Sequence, residues 1–268
     1  MTDLREAHVK RYISRMPCYN SIINYFDSEE LTPYLKMLVI QSALPLKAVE
    51  TDFAIDSSGL SSSRYVNWIS AKGGNRIDQR DWLKIHITCG VKTHIVAAVE
   101  ITEAYVGDST QFARLLEATA KHFNVSKISA DKAYSSRRNL MHVEKIGAKP
   151  YIPFKKNATP DGRNDVWNRM YYFYQMNRKE FFAHYNKRSN VETTFSMIKA
   201  RFGGNLRCRT LTAQVNEALC KVLSHNICCL IYSAHELGIE MTFWRDEVQP
   251  KGACQSTTHQ GEAQLTLF

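Results

Sequence analysis

The sequence predicts an α/β protein built on a mixed sheet flanked by helices, with a small helical region at its N-terminus. Three observations predict it. The hydrophobic period changes from helical to strand-like at Asp52, where DFAID forms a short apolar run. Two β-rich runs, DWLKIHITCG and THIVAAVEIT, then flank Gly90-Val91-Lys92 and read as a hairpin beside that strand. Beyond Ser109 the chain alternates helix, strand, helix, strand, helix, which places helices on the faces of a partly parallel sheet.

The elements follow in order. Residues 1–50 read as helical, with Leu31, Tyr34, Leu35, Leu38, Val39 and Ser42 recurring at three- and four-residue spacing on one face. Pro17 precedes CYNSIINYF, which fits a short packing helix and also one arm of a helix-turn-helix. Ser109–Phe123 forms a helix with Phe112, Leu115, Leu116 and Thr119 inward. VSKISAD is a second short strand, and Ser135–Gly147 a helix with a glycine stop. KPYIPF is a strand bounded by prolines, and NATPDGRND a polar loop. One long helical region runs from about Val166 to Arg201 and stops at Gly203-Gly204. Thr210–Leu237 is a further helix with Val215, Leu219, Val222, Leu223 and Leu230 inward. Residues 51–240 thus form the main domain, and residues 248–268 are expected to be a disordered polar tail.

Charge and composition limit the function. The net charge is +9. Between Lys132 and Thr210 there are 17 Lys and Arg against 5 Asp and Glu, a balance of +12 that leaves −3 for the rest. This asymmetry fits a polyanion-binding face, and equally a merely basic soluble surface. No run of about 18 apolar residues exists, which excludes a helical membrane span. MTDLREAHVKR carries acids and lacks the apolar core of a secretory leader. Seven cysteines without a C-x-x-C pair argue against a disulfide framework or a structural zinc site, and point to a reducing, cytoplasmic setting. Cys220, Cys228 and Cys229 lie in an apolar helical stretch and read as core.

Two acids stand where apolar strands run out: Asp56 after DFAI and Asp131 after KISA. A carboxylate there is costly unless it is paired or binds a cation. Each alone fits a turn or helix cap; two on one sheet also fit a shared cation site. On a continuous helix, Tyr185, Arg188, Glu192 and Lys199 fall within one arc of about 60°, beside an apolar stripe of Val191, Phe195, Ile198 and Phe202. The stripe reads either as a chemical face bearing a third carboxylate, or as a solvated face with an Arg188–Glu192 pair.

Tyr185-x2-Arg188-x3-Glu192-x6-Lys199 resembles the YREK signature of prokaryotic insertion-sequence DDE transposases. Asp56 in FAIDSSGLS is similar to the family's first Asp, and Asp131 in SADKAY to its second. The likeness spans about Ala54 to Ile231. It implies an RNase H-like catalytic domain in which Asp56, Asp131 and Glu192 are catalytic and hold two Mg²⁺ ions, for which Mn²⁺ substitutes. It implies that Tyr185, Arg188 and Lys199 contact DNA phosphate. The partners implied are double-stranded DNA, as transposon ends and target, and a second copy of the chain in a homodimer on DNA. The implied location is the cytoplasm, on the nucleoid when DNA is bound. Two-ion chemistry suits phosphodiester cleavage, since one ion activates the nucleophile and the other stabilises the leaving oxygen. Arg suits bidentate phosphate binding and Lys a point contact.

Two departures accompany the likeness. Only 60 residues separate Asp131 from Glu192, too few for the β-rich insertion of some hairpin-forming relatives. Trp167 in that interval reads as a core or a stacking residue. Only 55 residues precede Asp56, which points to reduced end recognition or a truncated copy. An inactive DNA-binding remnant and another RNase H-like nuclease therefore stand as alternatives. Arg201, Arg207 and Arg209 flank the end of the YREK helix, where they track DNA backbone or form a solvated face. The histidines show no metal-ligand spacing, and Gly73-Gly74 and Gly203-Gly204 read as turns.

Overall fold

The computed structural model describes residues 2–62 and 82–238. These residues fall into two compact units that divide between Tyr25 and Phe26. The expected polar tail, Cys254 and Gly73-Gly74 lie outside the described residues.

The first unit holds α1 (Thr2–Val9) and all but the last residue of α2 (Tyr19–Phe26). Its side chains stay largely in water: Val9, Tyr12, Tyr19 and Tyr25 are exposed.

The second unit is built on five strands. β1 (Asp52–Ser61), β2 (Trp82–Gly90) and β3 (Val96–Glu103) form an antiparallel meander, and β4 (Lys127–Ala130) and β5 (Lys149–Tyr151) run parallel to β1. The strand order is β3-β2-β1-β4-β5. The helices are α3 (Leu31–Ala43), α4 (Asp108–Ala120), α5 (Arg137–Lys145), α6 (Val166–Met176), α7 (Arg178–Tyr185), α8 (Ser189–Phe202) and α9 (Leu211–Leu237). This is an RNase H-like α/β fold.

Side-chain alternation along β1 assigns its two faces. Phe53 and Ile55 join Ile128 and Ala130 of β4 in one core with Phe112, Leu115 and Leu116 of α4 and Leu140 and Val143 of α5. Ala54 and Leu60 point the other way, into a second core with Val191, Phe195 and Ile198 of α8, Leu219 and Val222 of α9, and Leu35 and Val39 of α3. Asp56, in phase with Ala54, therefore faces α8.

Several elements depart from expectation. β1 does not end at Asp56: SSGLS stays in the sheet because β2 pairs along its whole length and Leu206 N donates to Ser61 O (2.7 Å). The helical region from Val166 is not continuous. It breaks at Asn177, whose ψ of 48° leaves the helical basin, and tightens into a 3-10 turn over Asn186–Arg188. On α3 the apolar stripe divides, with Leu35, Val39 and Ser42 buried and Tyr34 and Leu38 exposed. α3 packs into the sheet unit, so the helical region before residue 50 is shared between the two units. Asn226 of α9 fastens it there, donating to Val39 O (3.1 Å) and Ser42 Oγ (3.0 Å) while pairing with both backbone groups of Val96.

Candidate active site

The parallel pairing of β1 and β4 ends at Ile55↔Ala130. The next residue on each strand is an acid. Partners in a parallel ladder share a face, and neighbouring strands lie about 4.8 Å apart. Asp56 and Asp131 therefore stand side by side on the face that α8 covers. Asp131 keeps an extended backbone (φ −66°, ψ 160°) and starts a short 3-10 turn, accepting Lys132 N–H at 2.6 Å. Asp56 Oδ1 accepts Ser57 N–H at 2.8 Å.

The third acid arrives from above. Glu192 lies in the first turn of α8, where the helix dipole favours negative charge. Arg188, one turn earlier, grips both: Nη1 donates to Asp56 Oδ2 (2.9 Å) and Nη2 to Glu192 Oε1 (2.5 Å). The Tyr185 ring lies under its guanidinium at 5.8 Å and stacks on Phe181. Lys199, two turns beyond Glu192, donates Nζ to Ser58 Oγ at 2.7 Å. Ser58 shares the Asp56 face by alternation, a signal the pattern DSS carried and sequence reasoning missed. The 3-10 turn explains how Tyr185 and Arg188 share the site with α8 although no single helix joins them.

The electrostatics match this crowding. Burial raises the Asp56 pKa above the ordinary carboxylate value. The Ser57 N–H and Arg188 oppose the rise, while the charges of Asp131 and Glu192 add to it. Burial also lowers Lys199. Tyr134, three residues after Asp131 and almost fully buried, is pushed far up by burial and by the surrounding charges of Asp56, Asp108 and Asp131.

The remaining candidates sit apart. Arg201, Arg207 and Arg209 are exposed. The Arg207 and Cys208 amides are tied to Glu217 Oε2, and Lys221 Nζ donates to the carbonyls of Gly203 and Asn205, which fastens that arch to α9. Trp167 is half-buried against Phe154.

Sequence reasoning also missed the support behind α8. Glu50 is fully buried, and its Oε1 accepts Lys92 N (2.9 Å), Thr93 N (2.5 Å) and Thr93 Oγ1 (2.8 Å) in the β2–β3 turn. In that turn His94 adopts positive φ (60°) and places Nδ1 3.2 Å from both Asn190 O and Thr194 Oγ1 at the start of α8.

A family model described as transposase DDE domain matches residues 47–227, about two thirds of the chain. The chain belongs to the DDE transposases. The matched stretch contains Asp56, Asp131, Arg188, Glu192 and Lys199. Membership implies an enzyme of DNA transposition in general, of a family that acts on DNA and typically uses divalent metal. No helix among its described residues is long and apolar enough to cross a membrane.

The donor set suits such a metal. Asp56, Asp131 and Glu192 offer hard carboxylate oxygens, and the repulsion that Asp131 and Glu192 add to the burial-driven rise of Asp56 is what a cation relieves. As the side chains stand, no three acidic, His or Cys residues among those described are grouped closely enough to ligate one ion. Arg188 takes one oxygen of Asp56 and one of Glu192, and its guanidinium lies between the two carboxylates.

Proposed function

We propose that this transposase cuts DNA at the ends of its insertion element and joins the exposed 3′-OH to target DNA, with Asp56, Asp131 and Glu192 as its catalytic carboxylates. The observation that carries this reading is the β1–β4 register, which sets two acids side by side beneath a helix that brings a third. Two Mg²⁺ ions, replaceable by Mn²⁺, are the group these carboxylates would hold. When bound they supply the Lewis acidity that activates a nucleophile and stabilises a leaving 3′ oxygen.

The chain's own groups do the rest. Arg188 offers a planar fork for a phosphate, and Lys199, half-buried and held by a serine hydroxyl, offers a point charge. The Tyr185 ring lies beside the Arg188 fork. Together with Glu192 these residues make the site of the YREK type. Exposed Arg201 and Arg207 extend the basic surface along the DNA backbone, and the enzyme acts as a homodimer on DNA in the cytoplasm, at the nucleoid. With about six phosphate contacts, duplex affinity should fall roughly a thousandfold between 50 and 200 mM salt. A flat salt response would mean a solvated charge surface.

The test is a duplex carrying the element's terminal sequence, incubated with protein and Mg²⁺ and assayed for cleaved ends and for joined target products. The reading expects both products, and neither from Asp131→Asn. Binding without cleavage by the unaltered chain would favour a DNA-binding remnant. Cleavage without joining would favour a nuclease.

A further inference from the structure

Arg188 is the one cation paired with any of the three site carboxylates among the described residues. Lys199 goes to Ser58, and among the described residues Asp131 accepts only a backbone amide. Among the described residues, Arg188 thus pairs with two of the three carboxylates and Asp131 has no ion-pair partner. The grip is bidentate in a particular sense: each arm of the fork takes a different carboxylate, one from the sheet and one from α8. Arg188 is itself shielded, with 18% of its side chain exposed, whereas Glu192 is open at 58%. The described residues give Glu192 no other hydrogen-bonding partner, so its carboxylate is oriented by Arg188 alone.

We propose that Arg188 is the intramolecular competitor of the catalytic cations: it holds Asp56 and Glu192 together in the metal-free enzyme, and cation entry evicts its guanidinium and frees it for a DNA phosphate. The proposal rests on the reading of Asp56, Asp131 and Glu192 as the cation-binding carboxylates. Three arguments support it. Charge balance favours the exchange, since a divalent ion neutralises the cluster better than a monovalent guanidinium. Arginine stays protonated at any working pH, so it can leave only by swinging away. Its natural alternative partner, a phosphate, offers the same paired oxygens that two carboxylates offer in its absence. The exchange couples the two ligands: a bound cation makes the fork available to DNA, and a phosphate on the fork clears the carboxylates for the cation.

The experiment measures Mn²⁺ affinity of the full chain without DNA, from the free-ion electron paramagnetic resonance signal. It compares the unaltered protein with Arg188→Gln, Arg188→Lys and Asp56→Asn, each checked for folding by circular dichroism. The proposal expects Arg188→Gln to bind Mn²⁺ at least about tenfold more tightly, because the competitor is gone and the carboxylates are left uncompensated. Arg188→Lys should fall between, since an ammonium keeps the charge but cannot hold both acids. If Arg188→Gln fails to fold, Arg188→Lys carries the test alone. Equal or weaker Mn²⁺ binding by the folded Arg188 variants, with Asp56→Asn still reducing it, would overturn the competitor and leave the site reading intact. Unchanged binding in Asp56→Asn, or no Mn²⁺ binding by any form, would overturn the site reading and the proposal with it.

Discussion

Glu50 and Asp56 are carboxylates six residues apart, and burial raises the pKa of both. Their surroundings differ in kind. Glu50 is fully buried, and one of its oxygens takes three hydrogen bonds from a single turn, two of them from backbone amides. Asp56 is part-exposed, takes one local amide, and leans on a long side chain that also serves Glu192. A raised pKa therefore does not tell the two acids apart. The partners do: Glu50 takes neutral donors from one turn, while Asp56 takes a charged guanidinium that it shares with Glu192.

Activity should distinguish the two acids most strongly. Asp56→Asn should lower Mg²⁺-dependent cleavage at least about a thousandfold while the thermal unfolding midpoint stays near that of the unaltered protein. A large drop in the midpoint would place Asp56 with Glu50 as a structural acid. Glu50→Ala should do the reverse. It strands the Lys92 and Thr93 donors and opens a void, at a cost of about 3 kcal/mol in urea unfolding. Its residual folded fraction should still cleave DNA. A silent Glu50→Ala would show that water replaces the carboxylate in that turn.

How much of this contrast was legible in the sequence follows from which signals are local. Asp56 and Asp131 were visible because each ends an apolar run, and their adjacency needed only parallel pairing of DFAI with KISA. The meander, the inward face of α4 and the Gly203 stop were equally local. The extension of β1 to Ser61 was not, because SSGLS has no apolar alternation and stays in the sheet through its neighbours. Nor was the break at Asn177, which sits between good helix formers. Glu50 went unseen because its role depends on a turn more than 40 residues away, and the double grip of Arg188 because a 3-10 turn sets its direction.

Smaller effects sharpen the same contrast. Lys199→Ala should weaken duplex binding about tenfold, the value of one ion-assisted contact, with cleavage recovering at high enzyme concentration. No change in the gel shift would reduce Lys199 to a brace for Ser58.

The pH response is gentler, and Glu50 supplies one share of it. Because burial raises its folded pKa, the stability tied to this group is fully present below about 4.5 and is lost as pH rises through the folded value. Glu50→Gln should flatten that loss. His86 acts in the opposite direction. Burial depresses it from 6.5 to about 4, so its share is present above 6.5 and is lost as pH falls towards 4. Urea midpoints measured from pH 4 to 8 should therefore lose part of their high-pH decline in Glu50→Gln, the share of Asp56 remaining, and keep their acid decline. An unchanged high-pH limb would show that Glu50 titrates alike in both states.

The most direct measurement concerns Glu192, the acid whose placement depends on Arg188. Binding and cleavage of an end-containing duplex should be measured in parallel with Mg²⁺ at one salt concentration, for the unaltered chain and for Glu192→Gln. Glu192→Gln should bind the duplex as well as the unaltered chain, or slightly better for the loss of a negative charge, and cut none of it. Full cleavage by Glu192→Gln would contradict the account and leave the Arg188–Glu192 pair an ordinary surface contact.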